Sequence, residues 1–393
     1  MLSNLARIFL ADLIVRGFYQ IGKTPLLPIF AASIGASELV IGFIISVSTL
    51  TGIALKPIFG ILSDRWGKKL WLIIAAIVFS GTPFLYGFID TETELIFLRL
   101  FHGVSTAIFG PVSLAYVAMG NSKNVGGRIA YFGMSRLLAS LMAPLLGGLL
   151  LTFLSFEEVF LIIGSCSLLA MIPIFLLDEN ESKPLEAHLS IRNQFQMSLS
   201  YSIQMPAIWL AGFLELMLYM TIYAVKAFLP LFILLQEGGT VMHAGLFFFI
   251  QELTHFTLRP YGGKLFDKNV QSKAIIFGVI FIALSLCLLS NLPENLLLIS
   301  AVFLGVGQGL VLPSSVALLF RGSHKKFVGA AMGFYGALRN VGKVLGPIVA
   351  GTLLISFNYS TVFYIFAGLI ILFLILSLPF WIKTEVIERK AVR

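Results

Sequence analysis

The sequence predicts an all-α membrane protein of twelve transmembrane helices in two six-helix halves. Three observations carry this: its hydropathy, the one-sided placement of its basic residues, and an internal repeat. Hydrophobic residues make up 58% of the 393 and charged residues 12%, with a mean hydropathy of +0.96. Soluble domains carry about 25% charged residues, so this chain belongs in a bilayer.

A span needs roughly 20 apolar residues. Cutting at charged and at Gly-, Pro- or Asn-rich breaks places the helices at 6–31, 39–62, 70–89, 95–119, 128–153, 156–177, 207–235, 241–266, 274–291, 295–320, 328–354 and 360–382. The first apolar run, Phe9 to Ala32, holds Asp12, Arg16 and Lys23 and lacks a small-residue cleavage site, so it reads as a retained helix and not as a signal peptide.

The loops on one side hold Arg65, Lys68, Lys69, Lys123, Arg128, Lys183, Arg192, Lys264, Lys268, Lys273, Arg321, Lys325 and Lys326. Those on the other side hold no Lys or Arg and carry Glu38, Asp90, Glu92, Glu94, Glu157, Glu158, Glu237 and Glu294. The positive-inside rule then puts both termini in the cytoplasm of a multi-pass protein of the cytoplasmic membrane. The net charge of +8 thus reports topology and not a nucleic-acid partner. The polar stretch DENESKPLEAHLSIRNQFQMSLS separates an N-terminal bundle (1–177) from a C-terminal bundle (207–382), with 178–206 as a cytoplasmic linker and 383–393 as a cytoplasmic tail.

Sliding the sequence on itself by 203 residues aligns KPIFGILSDR, from Lys56, with RPYGGKLFDK, from Arg259. The same ungapped offset pairs Lys23 with Lys226, Gly35 with Gly238, Arg136 with Arg339, Pro144 with Pro347, and Asp12 with Glu215. The two halves are therefore repeats with the same topology.

These residues resemble the major facilitator superfamily. Its loop signature after the second span is met by Gly60, Leu62, Ser63, Asp64, Arg65, Gly67, Lys68 and Lys69, and the second copy keeps Gly263, Leu265, Asp267 and Lys268. The fourth-span pattern appears as Arg99, His102 and Gly103, with His in place of Gln. An antiporter-like glycine pattern appears as Ala143, Pro144, Gly147 and Gly148 in the fifth span and as Gly342, Gly346, Pro347 and Gly351 in the eleventh. The resemblance implies two six-helix bundles related by a pseudo-twofold axis along the membrane normal, the arrangement given for this family's parallel repeats. It also implies a central cavity that opens to each side in turn. Gly60 is expected to allow close helix approach. Asp64 is expected to accept hydrogen bonds at a helix N-terminus, which in the family belongs to the eleventh span.

Ionisable residues inside spans are functional candidates. Nine cations remain there: Arg16, Lys23, Lys56, Arg99, Arg136, Lys226, Arg259, Arg339 and Lys343; three acids accompany them: Asp12, Glu215 and Glu252. Two equivalent ion pairs are expected, Asp12 with Arg136 and Glu215 with Arg339, serving either proton coupling or the shared scaffold. Lys56 and Arg259 lie where they can snorkel to the interface. Removing both pairs and both snorkelling residues leaves Arg16, Lys23, Arg99, Lys226 and Lys343 against Glu252. That balance favours an anionic or zwitterionic solute, with Tyr219 and Tyr223 as further contacts. Glu252, with His255 three residues on, is the expected proton carrier, and the resemblance adds Arg99 to the coupling set.

No P-loop and no H-E-x-x-H motif occurs, the five histidines do not cluster, and Cys166 and Cys287 read as packing residues, so neither cofactor nor metal is expected. The reading is a proton-coupled secondary transporter working as a monomer by alternating access. Export of a small organic solute comes first; multidrug efflux of lipophilic compounds and transport of a lipid-like anion are the alternatives.

Overall fold

The computed structural model describes residues 3–119, 125–178, 206–267, 271–291, 293, 296–322 and 328–391. Side chains are described for these except 61, 64, 126, 206, 207, 262–267, 271, 317, 318, 320–322, 328–330 and 381–391. Among the described residues every regular element is a helix. They are α1 (Asn4–Ile21), α2 (Leu26–Ser33), α3 (Glu38–Trp66), α4 (Lys68–Gly81) continued by a 3-10 segment (Thr82–Phe88), α5 (Glu92–Met119), α6 (Val125–Phe153), α7 (Phe156–Leu168) and α8 (Met171–Phe175). After the linker come α9 (Pro206–Leu235), α10 (Val241–Asp267), α11 (Gln271–Asn291), α12 (Leu297–Gly322), α13 (Val328–Leu354) and α14 (Tyr359–Ala391).

Three expected spans are interrupted. The first breaks at Gly22–Pro25, because Pro25 offers no amide hydrogen and its ring crowds the preceding turn; the amides of Lys23 and Thr24 turn back to the carbonyl of Gln20 instead. The third ends in the 3-10 segment that starts at Thr82–Pro83. The sixth breaks between Leu168 and Met171. Its start is an S-x-x-E capping box: the Ser155 hydroxyl takes the Glu158 amide and the Glu158 carboxylate takes the Ser155 amide. Joining the broken pieces gives twelve spans. Nine stretches of the described residues are long and apolar enough to cross a bilayer; the long helices outside that set carry Asp12 and Arg16 (α1), Glu252 and Arg259 (α10), and Arg339 and Lys343 (α13).

The repeat is visible in the backbone. Gly35 and Gly238, one offset apart, both turn the chain at positive φ, 84° and 85°, a region that costs glycine nothing.

The chain divides into two compact units, 1–186 with 226–249, and 187–225 with 250–393. The C-terminal end of α9 and the start of α10 thus group with the first unit, although the sequence placed them in the C-terminal bundle. In the first unit α1 packs on α6, and α5 on α3 and α4. Its core joins Ile8, Ala11 and Val15 to Trp71, Leu72, Phe109, Val112 and Phe132. In the second, α11 packs on α12 and α14.

Small residues bring backbones together. Gly148 of α6 faces Gly245 of α10, each Cα 3.2 Å from where the other's Cβ would stand. A Cβ on Gly342 or Gly346 of α13 would overlap the carbonyl oxygen of Leu216 or Met220 in α9. Gly346→Val should therefore lower the yield of monodisperse protein several-fold, since backbone cannot yield as a rotamer does. Gly333→Ala, with nothing within 4 Å of the added atom, should not. Equal yields from the two variants would disprove the close approach.

Candidate functional site

Asp12 lies fully buried in α1. Arg16, one turn later, places Nε 2.7 Å from its Oδ1. The Ser135 hydroxyl donates to Oδ2 at 2.6 Å, and Arg136 Nε stands 3.8 Å from the same oxygen. Two cations thus share one carboxylate. Arg16, expected at the solute, is instead the closest partner of Asp12, because i and i+4 meet on one helix face.

The second copy differs. Glu215 is 1% exposed, and its Oε1 accepts from the Ser315 hydroxyl at 2.9 Å; Tyr335 lies 2.8 Å from that same hydroxyl. Oε2 has no hydrogen-bond partner. The expected ion pair with Arg339 is not formed: the guanidinium sits over the Tyr219 ring, 5.7 Å from its centroid, with Nε unpartnered. The repeat explains the divergence. Position 16 of the first copy corresponds to Tyr219, so the cation nearest the first carboxylate is a phenol in the second.

Tyr219 and Tyr223 of α9 face cations on α13. Lys343 Nζ lies 5.0 Å and 5.5 Å from their ring centroids. At this range a cation is attracted to the ring face. In α10 His255 Nδ1 is 3.2 Å from Glu252 Oε2. Next to them the buried Gln251 donates to Gln308 of α12 at 2.7 Å, leaving Gln251 Oε1 and Gln308 Nε2 unpartnered. Lys226 is half-buried in α9.

Arg99 of α5 is buried with His102 one turn on. Its Nη2 donates to Ser48 at 2.8 Å and to the Tyr19 hydroxyl at 3.5 Å, and its Nη1 to the Tyr86 hydroxyl at 3.5 Å. Lys23, expected within a continuous helix, stands in the turn between α1 and α2 with Nζ 5.8 Å from the Tyr19 ring centroid.

Of the loop signature, Gly67 turns the chain at φ 86° between α3 and α4, and Arg65 is exposed. Gly60 has nothing within 4 Å of an added Cβ, so the expected close approach is absent there. Close approach occurs at Gly147 and Gly148, where the Pro144 carbonyl also meets Gly245, and at Gly346, beside Pro347. The side chains of Asp64, Gly263 and Asp267, and all of Lys268, lie outside the described residues. Sequence reasoning missed Ser135, Ser315, Tyr335, Tyr86, Gln251 and Gln308; a hydroxyl or amide inside a span near an acid was the available signal. It also missed that Lys68, expected in an open loop, is buried.

The sequence profile of the Major Facilitator Superfamily matches residues 13–295 and 211–393. The chain belongs to that superfamily. It is similar to the multi-drug resistance efflux pump PmrA of Streptococcus pneumoniae, at 26% identity over 350 residues and 86% of each chain. It is similar also to the multidrug resistance protein MdtG of Proteus mirabilis, at 25% over 379 residues, 93% of this chain and 92% of that one. Among solved structures, the nucleoside transporter NupG shares the superfamily fold at a TM-score of 0.81 and 14% identity, over 96% of this chain and 99% of that one. A bacterial homolog of the human lysosomal transporter Spinster gives 0.75 at 13%, over 97% and 95%. As a superfamily member the protein is a multi-pass membrane transporter of small solutes and not an enzyme.

Proposed function

We propose that this transporter exports a small organic solute, zwitterionic or acidic, against protons, and that Glu215 carries the proton. The observation that carries the reading is Glu215 itself: a buried carboxyl met by the Ser315 hydroxyl, with one oxygen unpartnered, on the same helix as Tyr219 and Tyr223. A buried carboxyl with an oxygen still free for a proton or a cation responds to what approaches it. Glu252 is the weaker carrier, having His255 at 3.2 Å. Asp12 is weaker still, because Arg16 and Arg136 already face it.

The charge of the solute then sets the sign of coupling. A purely anionic solute at Arg339 and Lys343 is favoured when Glu215 is protonated, so solute and proton would travel together. A zwitterion whose ammonium pairs with ionised Glu215, and whose acid meets Lys343, displaces the proton; this competition is what exchange requires. Export therefore fits a zwitterion better than a simple anion. The one-sided loop charges support cytoplasmic termini and the cytoplasmic membrane as location.

Purified protein in liposomes with an imposed pH gradient tests this. Zwitterions are expected to move opposite to protons and simple organic anions, if moved, to follow them. Transport restricted to lipophilic cations would overturn the reading. That outcome would favour the second reading, broad multidrug efflux, which the likeness to PmrA and MdtG supports.

A further inference from the structure

The first unit holds a cavity bordered by Tyr19, Tyr86, Arg99, His102 and Phe160, in which the centre of a water-sized particle has about 10 Å³ to occupy. That is space for roughly one water molecule or one ion of similar size.

The groups around it are short of acceptors. Arg99 is 1% exposed and His102 4%. The Nε–H of Arg99 has no partner, nor has either ring nitrogen of His102. The Tyr86 hydroxyl accepts from Arg99 and keeps its own hydrogen to give. Each hydrogen-bond partner of the guanidinium is a hydroxyl; among the described residues no carboxylate lies within 4 Å of it. Lys23, with Nζ 5.8 Å from the Tyr19 ring centroid, adds a second positive charge to the same neighbourhood.

A buried cation without a counter-charge is costly. A water molecule would satisfy the free hydrogens and leave the charge uncompensated; an anion does both. The small space suits a compact anion better than a carboxylate or phosphate group. We propose that this cavity is a halide site, occupied by chloride, with Arg99, His102 and Tyr86 as donors. The stacked Tyr86 and Phe160 rings, 3.8 Å between centroids, form its wall. His102 is the residue that departs from the family pattern, and a neutral imidazole supplies an N–H to the ion. The site is independent of which solute the transporter moves.

The test uses the purified full-length protein in detergent. Thermal unfolding is followed in sodium chloride, sodium bromide and sodium gluconate at equal ionic strength. The midpoint should rise and saturate with either halide and stay flat with gluconate. His102→Leu should raise the half-saturating halide concentration about tenfold or more, the loss of one hydrogen bond to a charged partner. Arg99→Gln should abolish the response. Should a variant fail to fold, wild-type crystals grown in bromide decide the matter, with an anomalous peak expected in the cavity. Coincident halide and gluconate curves, a water only in the cavity of the bromide crystals, or an unchanged response in both variants would each overturn the site.

Discussion

Glu215→Gln is expected to abolish proton-driven transport while the protein stays folded. The amide keeps the size of the side chain and an oxygen to accept from Ser315, which contacts Glu215 at 2.9 Å. It cannot take up or release a proton. A step that depends on such a transfer typically loses about 10²- to 10⁴-fold when the group is removed. Gradient-driven flux in proteoliposomes should therefore fall by about 100-fold or more, and exchange of labelled for unlabelled zwitterion at equal pH on both sides should fall with it, because the ammonium loses its carboxylate partner. Glu252→Gln should reduce gradient-driven flux less. Undiminished flux from Glu215→Gln removes it as the carrier, and a larger loss from Glu252→Gln returns that role to α10.

Asp12→Asn should act on stability first. It leaves Arg16 and Arg136 beside a neutral amide in a buried setting, and removing one member of a buried pair costs about 3–5 kcal/mol. The two arginine side chains are 27% and 39% exposed, which argues for the lower end, about 3 kcal/mol. For a chain of this size the thermal midpoint should fall by about 4 °C. Fluorescence-detected unfolding in detergent measures it. The matching change in the second unit, Glu215→Gln, should move the midpoint much less, because it strands no close cation. Equal shifts would mean that the two carboxylates are equivalent after all.

That asymmetry marks where the sequence stopped being readable. The spans were legible because a 20-residue apolar run is a one-dimensional signal, and the offset of 203 carried through to the matched turns at Gly35 and Gly238. The breaks at Pro25 and Leu168 were not, since Pro is tolerated inside other spans here, at Pro57, Pro111 and Pro144. For the charges, the offset was a misleading guide. It aligned Asp12 with Glu215 and Arg136 with Arg339 and so suggested two equal pairs. The Asp12–Arg16 spacing of four, which puts the two on one helix face, gives the closer pair. Ser135 and Ser315 arrive from different helices, α6 and α12, and only packing says which hydroxyl reaches which acid. Gly60 shows the same limit from the other side: a glycine in a recognised signature faces open space, while Gly148 and Gly346 make the contacts.

The meeting of Gly148 with Gly245 rests on shape alone. A contact made of main chain on both sides has no rotamers to freeze and almost no apolar side-chain area to desolvate. Nothing in it can adjust, so a single methyl group added on either face must push the two helices apart.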